Sequence, residues 1–216
     1  MDFQVIAESR GLLIDGLLLT IQLSAIAIVL GTVLGFVVAV PYTLRLPVVR
    51  QVIRVYIELF RGTPLLMQLF FVYFGLPYMG ITVDRFPAAV AALTAYSGAY
   101  IAEIIRAGIE SVSHGQRDAS ESLGLTFAQT MRRIIIPQAT TLAIPPLAGF
   151  YIGVVKDTSL AMIIGYRELL RSGQEIIDRT GQPMVVYLVV AVMYFVVCFP
   201  LSRLAARLEA PVVRTK

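Results

Sequence analysis

Ionisable side chains lie within long apolar stretches of this 216-residue chain. Glu58 and Arg61 stand in one such stretch, and Lys156 and Asp157 stand in another. A charged side chain at bilayer depth costs at least about 2.5–3.5 kcal/mol on insertion scales, so it generally pairs or faces a water-filled path. Arg61 could bind a carboxylate, and Glu58 or Asp157 could bind an ammonium group, so the set is complementary to a zwitterion. The candidate ligand-binding residues are Glu58, Arg61, Gln68, Lys156, Asp157, Thr158 and Ser159.

The same charges could instead neutralise one another inside a helical bundle. Glu58 and Arg61 are three residues apart, which puts them on one helical face, and Lys156 could pair with the aspartate that follows it or with a neighbouring carboxylate. A third pair, Glu103 with Arg106, is expected near the inner headgroups, where an ion pair costs little. We favour a polar translocation cavity for the first two pairs and a structural role for the third.

Several kinds of chemistry are excluded by residues that the chain lacks. One histidine, His114, and one cysteine, Cys198, cannot form a Cys/His metal site, so no metal ligands are expected. There is no phosphate-binding Gly-x-x-x-x-Gly-Lys-Ser/Thr loop, and the only lysines are Lys156 and Lys216, so the chain is not expected to bind ATP or another cofactor. The net charge of +4 comes from arginines at the ends of apolar stretches, which points to membrane topology rather than nucleic acid.

The composition indicates an integral membrane protein. Hydrophobic residues make up 57% of the chain and charged residues 15%, against about a quarter charged in soluble domains. With about 20 apolar residues per crossing, we predict an all-helical protein with five transmembrane helices in a single domain, residues 1–216. The first helix lacks the flanks of a removable signal peptide and is expected to be retained. The predicted spans cover about residues 12–40, 55–76, 86–109, 140–164 and 184–204.

A stripe of small residues follows the first predicted span. Ala27, Gly31, Gly35 and Ala39 recur every four residues, which allows close approach of another helix. Packing within the chain is the favoured interpretation, although such a face could also receive a partner chain.

The distribution of Lys and Arg predicts the orientation, because cytoplasmic loops retain positive charge. Five spans put the termini on opposite sides, and eleven basic residues fall on the C-terminal side against five on the other. The N-terminus is therefore expected outside and the C-terminus inside, with the polar stretch of about residues 110–138 in the cytoplasm. Residues 165–182 would face outside, where a soluble binding protein could contact Arg167, Glu168, Arg171 and Glu175; a simple solvated loop is the alternative.

The cytoplasmic stretch carries helix start and stop signals. Good helix formers from Gln116 to Leu123 end at Gly124, the residue type expected in a left-handed C-terminal cap. Thr126, followed three residues later by Gln129, forms a capping-box pattern, so a second short helix should run from Phe127 towards Pro137. We therefore predict two short helices hinged at a glycine; an interfacial amphipathic hairpin is the structural alternative.

This stretch resembles the cytoplasmic "EAA" loop of permeases of ATP-binding-cassette importers. The family pattern is Glu-Ala-Ala, three residues, Gly, nine residues, Ile-x-Leu-Pro. Here every interval is kept, with Asp118 and Ser120 as mild departures at the first triplet and Ile136 before the proline. The strings ELFRGTPLLMQLFFVYFGLP, AYIAEIIRAGIESVSHGQ and KDTSLAMIIGYREL are similar to those of the branch that contains histidine, arginine and glutamine permeases.

The resemblance implies a type I ABC importer permease in a prokaryotic inner membrane. Such a chain would translocate a polar or charged amino acid and would not be an enzyme. It would work with a second permease subunit, a dimeric ATPase that uses ATP and Mg²⁺, and an extracytoplasmic solute-binding protein. The residues expected to couple to the ATPase are Asp118, Ala119, Ser120, Leu123, Gly124 and Arg132.

Two other classes of protein remain to be weighed. An ion- or proton-coupled secondary transporter of a small polar solute could use the same intramembrane charges, but it would have no use for the coupling loop. An intramembrane enzyme is disfavoured because the lone His114 lies in the cytoplasmic stretch and has no serine partner within the apolar segments.

Overall fold

The computed structural model of the chain describes residues 4–43 and 47–213. Within these ranges the chain is helical and contains no strand. The α-helices are, in order, α1 (Gln4–Glu8), α2 (Arg10–Thr43), α3 (Pro47–Gly62), α4 (Leu65–Phe70), α5 (Arg85–Glu110), α6 (His114–Ser122), α7 (Phe127–Thr130), α8 (Ile136–Asp157), α9 (Leu169–Thr180) and α10 (Pro183–Val213). Short π-helical segments cover Phe71–Gly75 and Met131–Ile135, and 3-10 segments cover Leu76–Met79 and Thr158–Ile164.

The predicted crossings correspond to four continuous helices and one broken one. The continuous helices that are long and apolar enough to span are Arg10–Pro41, Arg85–Glu110, Phe127–Ile164 and Pro183–Leu208. The remaining span consists of Pro47–Gly62 and Leu65–Met79, which meet at 104°. The second span therefore starts earlier than predicted and is not straight. Pro64 explains the break, because it is in extended conformation before α4 and has no N–H to continue the ladder.

The fourth span begins much earlier than the predicted residue 140. Phe127 starts a helix, as expected from the capping box, but the predicted end near Pro137 is wrong, since the helix continues to Ile164. These 38 residues would extend about 57 Å, well beyond a hydrocarbon core of about 30 Å. Pro137 is tolerated because it lies in the first turn of α8, directly after the π-helical segment. The segment that starts at Phe127 is thus continuous with a span.

The small-residue stripe of α2 is used inside the chain. A Cβ on Gly31 would stand 2.6 Å from Cβ of Ser97, and one on Gly35 would stand 2.5 Å from a methyl carbon of Ile101, both on α5. Ala27 is completely buried. Packing within the chain is therefore confirmed, and the stripe provides no face for a partner.

Two apolar clusters hold the bundle together. One lies where α2, α4, α5 and α8 meet and includes Leu23, Leu69, Leu93 and Val154. The other joins α9 to α2 and α10 and includes Leu13, Leu169 and Val186. Large apolar side chains remain exposed along α2 and α10, as expected for helices that face lipid or another subunit.

Candidate functional site

The break in the second span is stabilised by Gln68. Its side-chain nitrogen donates to the carbonyl oxygens of Phe60, at 2.9 Å, and Thr63, at 3.2 Å, and lies 3.0 Å from the Thr63 hydroxyl. Gln68 is only 8% exposed, so this amide supplies donors to carbonyls that the break leaves free. Its oxygen is buried without a hydrogen-bond partner among the described residues. The candidate ligand contact of Gln68 is therefore limited to that oxygen.

Arg61, at the end of α3, pairs with α5 rather than with Glu58. Its guanidinium lies 3.2 Å from a carboxylate oxygen of Glu103. Glu103 also receives two hydrogen bonds from Arg106, at 2.7 and 2.8 Å, and Arg106 pairs in turn with Glu110. The alternative in which Glu58 pairs with Arg61 is not observed: among the described residues Glu58 has no ion pair and is exposed. A carboxylate held on an adjacent, partly shielded helix attracts Arg61 more strongly than a solvated one on its own helix.

An aromatic cluster separates Arg61 from the end of α8. The Arg61 guanidinium lies over the ring of Tyr100, 5.3 Å from its centre. Tyr100 stacks on Phe150 of α8 with centres 5.3 Å apart, and Tyr96 lies 4.7 Å from Tyr100. No sequence motif identifies this cluster, although the spacing of Tyr96 and Tyr100 by four residues places them on one face of α5.

The candidate residues of α8 lie at the change from α-helix to 3-10 helix. Lys156 is exposed and Asp157 and Ser159 are half-buried, whereas Thr158 is fully buried and donates to the Val155 carbonyl at 2.7 Å. Within residues 4–43 and 47–213, no ion pair joins Lys156 to Asp157. Asp157 is close enough to Tyr96 for its charge to act on that phenol. The aromatic cluster therefore connects Arg61 at one side to an unpaired carboxylate at the other.

The glycine hinge between α6 and α7 forms as predicted. Helix α6 ends at Ser122, and Gly124 takes a left-handed conformation with φ of 73°, which favours glycine. The Leu125 N–H donates to the Ser120 carbonyl at 3.1 Å, closing the turn as in a Schellman motif. Thr126 and Gln129 form both hydrogen bonds of the predicted capping box.

The candidate coupling residues divide between surface and interior. Leu123 is 79% exposed and is followed in the hinge by the exposed ring of Phe127. Asp118, Ala119, Gly124 and Arg132 are also exposed. Ser120, in contrast, is buried and its hydroxyl donates to the Gln116 carbonyl at 2.6 Å. The accessible apolar surface of the hinge is thus centred on Leu123 and Phe127, and Ser120 supports α6 from beneath.

A cavity of about 320 Å³ lies beneath α6, at the end of the charge network. Its lining includes Arg106 and Glu110 of the network and Arg117 of α6. Arg117 also donates to the Ile109 carbonyl at 3.2 Å, which connects α6 to the last turn of α5. The ion pairs that begin at Arg61 therefore end at Glu110, next to the carbonyl through which α6 is hydrogen-bonded to α5.

The opposite end of the bundle contains a buried carboxylate that the sequence suggested to be on the surface. Glu168 is fully buried and caps α9, accepting hydrogen bonds from the Leu170 and Arg171 N–H groups at 2.9 and 2.8 Å and from the Tyr194 hydroxyl at 3.0 Å. Burial raises the pKa of Glu168 to about 7, against hydrogen bonds that favour the charged form. The expectation that Glu168 contacts a binding protein is wrong for this conformation, because its side chain is inside the bundle.

The other charges of this segment lie at or near the surface, with Arg167 exposed and Glu175 largely shielded. Arg167 lies 2.9 Å from the Glu175 carboxylate, and this pairing raises the pKa of the Arg167 guanidinium. Arg171 is more distant from the same carboxylate, at 3.9 Å. No group of three or more His, Cys, Asp and Glu side chains that could hold a metal ion occurs in the described parts of the chain.

Comparison with known proteins agrees with this architecture. Residues 31–214 match the family described as "Binding-protein-dependent transport system inner membrane component". The L-cystine transport system permease protein TcyB of Bacillus subtilis is 41% identical over 88% of this chain and 82% of its own length. The glutamine transport system permease protein GlnP of Escherichia coli K12 is 38% identical over 96% of each chain.

Solved structures show the same fold. One described as "Crystal structure of an amino acid ABC transporter with histidines" is 37% identical, with a TM-score of 0.93, and covers 98% of this chain and 99% of its own. A chain of the inward-facing MetNI methionine ABC transporter, 20% identical, has a TM-score of 0.77 over 93% of this chain and 96% of its own, which supports the fold alone.

The helical bundle with its broken span and glycine-hinged loop is the fold of a type I ABC importer permease. The chain belongs to the family of binding-protein-dependent transport system inner membrane components. It is a multi-pass subunit of the inner membrane and not itself an enzyme. Membership of this family excludes the alternative of an ion-coupled secondary transporter.

Proposed function

We propose that this permease carries a polar or charged amino acid into the cytoplasm and that Arg61 and Asp157 bind the two charged ends of the substrate. The relatives named for glutamine and L-cystine transport, and the similar structure described with histidines, support an amino-acid substrate. The observation on which the site depends is the aromatic cluster between an arginine and an unpaired carboxylate. Its rings offer an apolar surface for the rest of the ligand.

Arg61 can exchange partners without leaving a charge unpaired. Glu103 keeps two hydrogen bonds to Arg106 when Arg61 leaves, so the cost of stranding a carboxylate is avoided. The Arg61 side chain is 38% exposed, which leaves it accessible to a carboxylate. Asp157 forms no ion pair within the described chain, although the charge of the neighbouring Lys156 acts on it, and it would bind an ammonium group. Glu58, Lys156 and Ser159 remain candidate contacts at the edges of the site.

The coupling surface is the exposed part of the hinge. Leu123 and Phe127 would enter a groove of a partner ATPase, with Asp118 and Arg132 as polar contacts beside them. Because the helix that begins at Phe127 continues into the fourth span, a displacement of the hinge would move Asp157 together with it. ATP and Mg²⁺ would be used by the ATPase dimer and not by this chain.

The remaining partners follow from the same scheme. The N-terminus would lie outside and the C-terminus inside, so the coupling helix is cytoplasmic and α9 faces the extracytoplasmic space. A solute-binding protein would dock at that outer end, and a second permease subunit, identical or homologous, would complete the path. The exposed apolar faces of α2 and α10 are available to that subunit or to lipid.

The test is ATP-driven uptake by the assembled complex in proteoliposomes. We expect Arg61→Gln and Asp157→Asn each to lower uptake of L-glutamine, L-histidine or L-cystine at least about tenfold, the effect of losing one charge-assisted hydrogen bond. Arg54→Gln is the matched control, because it removes an exposed guanidinium from the same helix. Basal ATPase activity should remain in all three variants. Unchanged uptake by the Arg61→Gln/Asp157→Asn double variant would refute the site.

A further inference from the structure

A second cavity lies at the end of the bundle opposite the coupling helix. It has a volume of about 520 Å³, within the range of about 300–1,000 Å³ usual for small-molecule sites. It is formed where α5 begins, at Arg85, and where the chain leaves the 3-10 segment, at Gly165 and Tyr166. Arg85, the first residue of α5, precedes Glu103 of the charge network by 18 residues, or about 27 Å along the helix.

Two adjacent residues of opposite charge stand at this cavity without partners. Asp84 caps α5 in extended conformation, but its carboxylate makes no capping hydrogen bond. The Arg85 side chain lies across the bare backbone of Gly165, with Nε 3.3 Å from the place where a Cβ would stand. Among the described residues neither side chain has an ion pair. Arg167, the other cation of the lining, is already neutralised by Glu175.

Aromatic and buried polar groups complete the lining. The rings of Phe86 and Tyr166 lie 5.7 Å apart, and Tyr73 is on the same wall. Tyr166 is only 8% exposed, and its hydroxyl has no hydrogen-bond partner in the described chain. The hydroxyl oxygen has almost no accessible surface, so Tyr166 contributes to the lining through its ring rather than through its hydroxyl.

We propose that this cavity binds a free amino acid on the outer side of the membrane, with Arg85 on its carboxylate and Asp84 on its ammonium group. A single charged protein side chain fits less well, because it would pair with only one of the two residues and leave the other without a counter-charge. A zwitterion matches both charges at once. The choice of an amino acid as the ligand rests on the proposed function. The cavity is separate from Arg61 and Asp157, and it would receive the amino acid before the amino acid enters the membrane path.

The experiment is saturation-transfer NMR on the permease–ATPase complex in nanodiscs without binding protein. L-Glutamine is the probe, and N-acetyl-L-glutamine and L-glutamine tert-butyl ester lack the ammonium and carboxylate charges respectively. The Arg61→Gln/Asp157→Asn background removes the intramembrane site, so a remaining glutamine signal reports the outer cavity. We expect that signal to persist, to be absent for both analogues, and to weaken about tenfold with Arg85→Gln/Asp84→Asn added. Arg179→Gln, an exposed cation of α9 outside the lining, is the matched control.

Three results would overturn the proposal. They are loss of all glutamine signal in the Arg61→Gln/Asp157→Asn background, a signal insensitive to Arg85→Gln/Asp84→Asn, and an equal loss with Arg179→Gln. Docking of a ligand-free binding protein is measured on the same variants: a docking defect with an unchanged glutamine signal would assign the cavity to that protein interface instead. Uptake by the Arg61→Gln/Asp157→Asn variant tests the proposed function separately, so the two failures can be distinguished.

Discussion

Replacement of Glu168 by glutamine should change how the stability of the permease depends on pH. The carboxylate is completely buried, and its pKa is raised from 4.5 to about 7 because burial disfavours the charged form. A shift of this size corresponds to about 3 kcal/mol between the two protonation states. Glutamine is a neutral residue of the same shape; its NH2 group cannot accept from a backbone N–H, but that cost is the same at every pH and leaves the pH dependence unaffected.

The sign follows from the direction of the shift. Below pH 4.5 the carboxyl group is protonated in both folded and unfolded states, and the full stability is present. As the pH rises from 4.5 to about 7, the unfolded chain releases its proton first, so folding becomes less favourable. Above that range the whole penalty of about 3 kcal/mol applies to the wild-type chain and not to Glu168→Gln.

The assay is thermal unfolding of the complex in nanodiscs from pH 5 to pH 8. One kcal/mol corresponds to about 2–4 °C in Tm for a chain of this size. The difference between the Tm of Glu168→Gln and that of the wild type should therefore increase by up to about 6–12 °C as the pH rises. Asp178→Asn is the matched control, since it removes an exposed carboxylate from the same helix. Parallel curves of Tm against pH for wild type and Glu168→Gln would refute the conclusion that the Glu168 carboxyl group causes this pH dependence.

Two further substitutions test the coupling hinge and the helix packing. Leu123→Asp places a charge at a position that is 79% exposed, so the Tm should stay within about 1 °C of wild type. Stimulation of the partner ATPase by loaded binding protein should fall at least about tenfold. Ser122→Asp, at an exposed neighbouring position, is the control, and an equal loss with both variants would show that Leu123 is not in the interface. Gly31→Val puts a side chain 2.6 Å from Cβ of Ser97, and we expect a loss of about 1–3 kcal/mol in stability or failure to accumulate, whereas Gly11→Val, which meets nothing within 4 Å, should accumulate normally.

The features that the sequence predicts are those encoded by residues near one another in the chain. The hinge depends on a glycine, a threonine and a glutamine within six positions, and each forms the predicted cap. The five apolar stretches are equally local, and their number is correct when the broken pair is one span. The end of the helix that begins at Phe127 could not be predicted from neighbouring residues in the same way. Pro137 is normally a stop signal, but the π-helical turn before it puts the proline where no N–H is needed.

The charge pairs show why the site itself is harder to predict. The chain has 14 carboxylates, and sequence spacing ranks Glu58 first as a partner for Arg61 because it lies three residues away on the same helix. Such a pair between exposed groups is worth only a few tenths of a kcal/mol, so any carboxylate brought closer by tertiary packing can replace it. Glu103 is 42 residues away in sequence and wins because α3 and α5 pack together and Arg106 already orients it. Glu168 is the converse case, in which a charged residue in a polar segment is buried because it caps a helix. Intramembrane charges can therefore be recognised from the sequence as candidate ligand-binding residues, but helix packing decides which charges pair. Whether a charge is free to bind a ligand depends on that pairing.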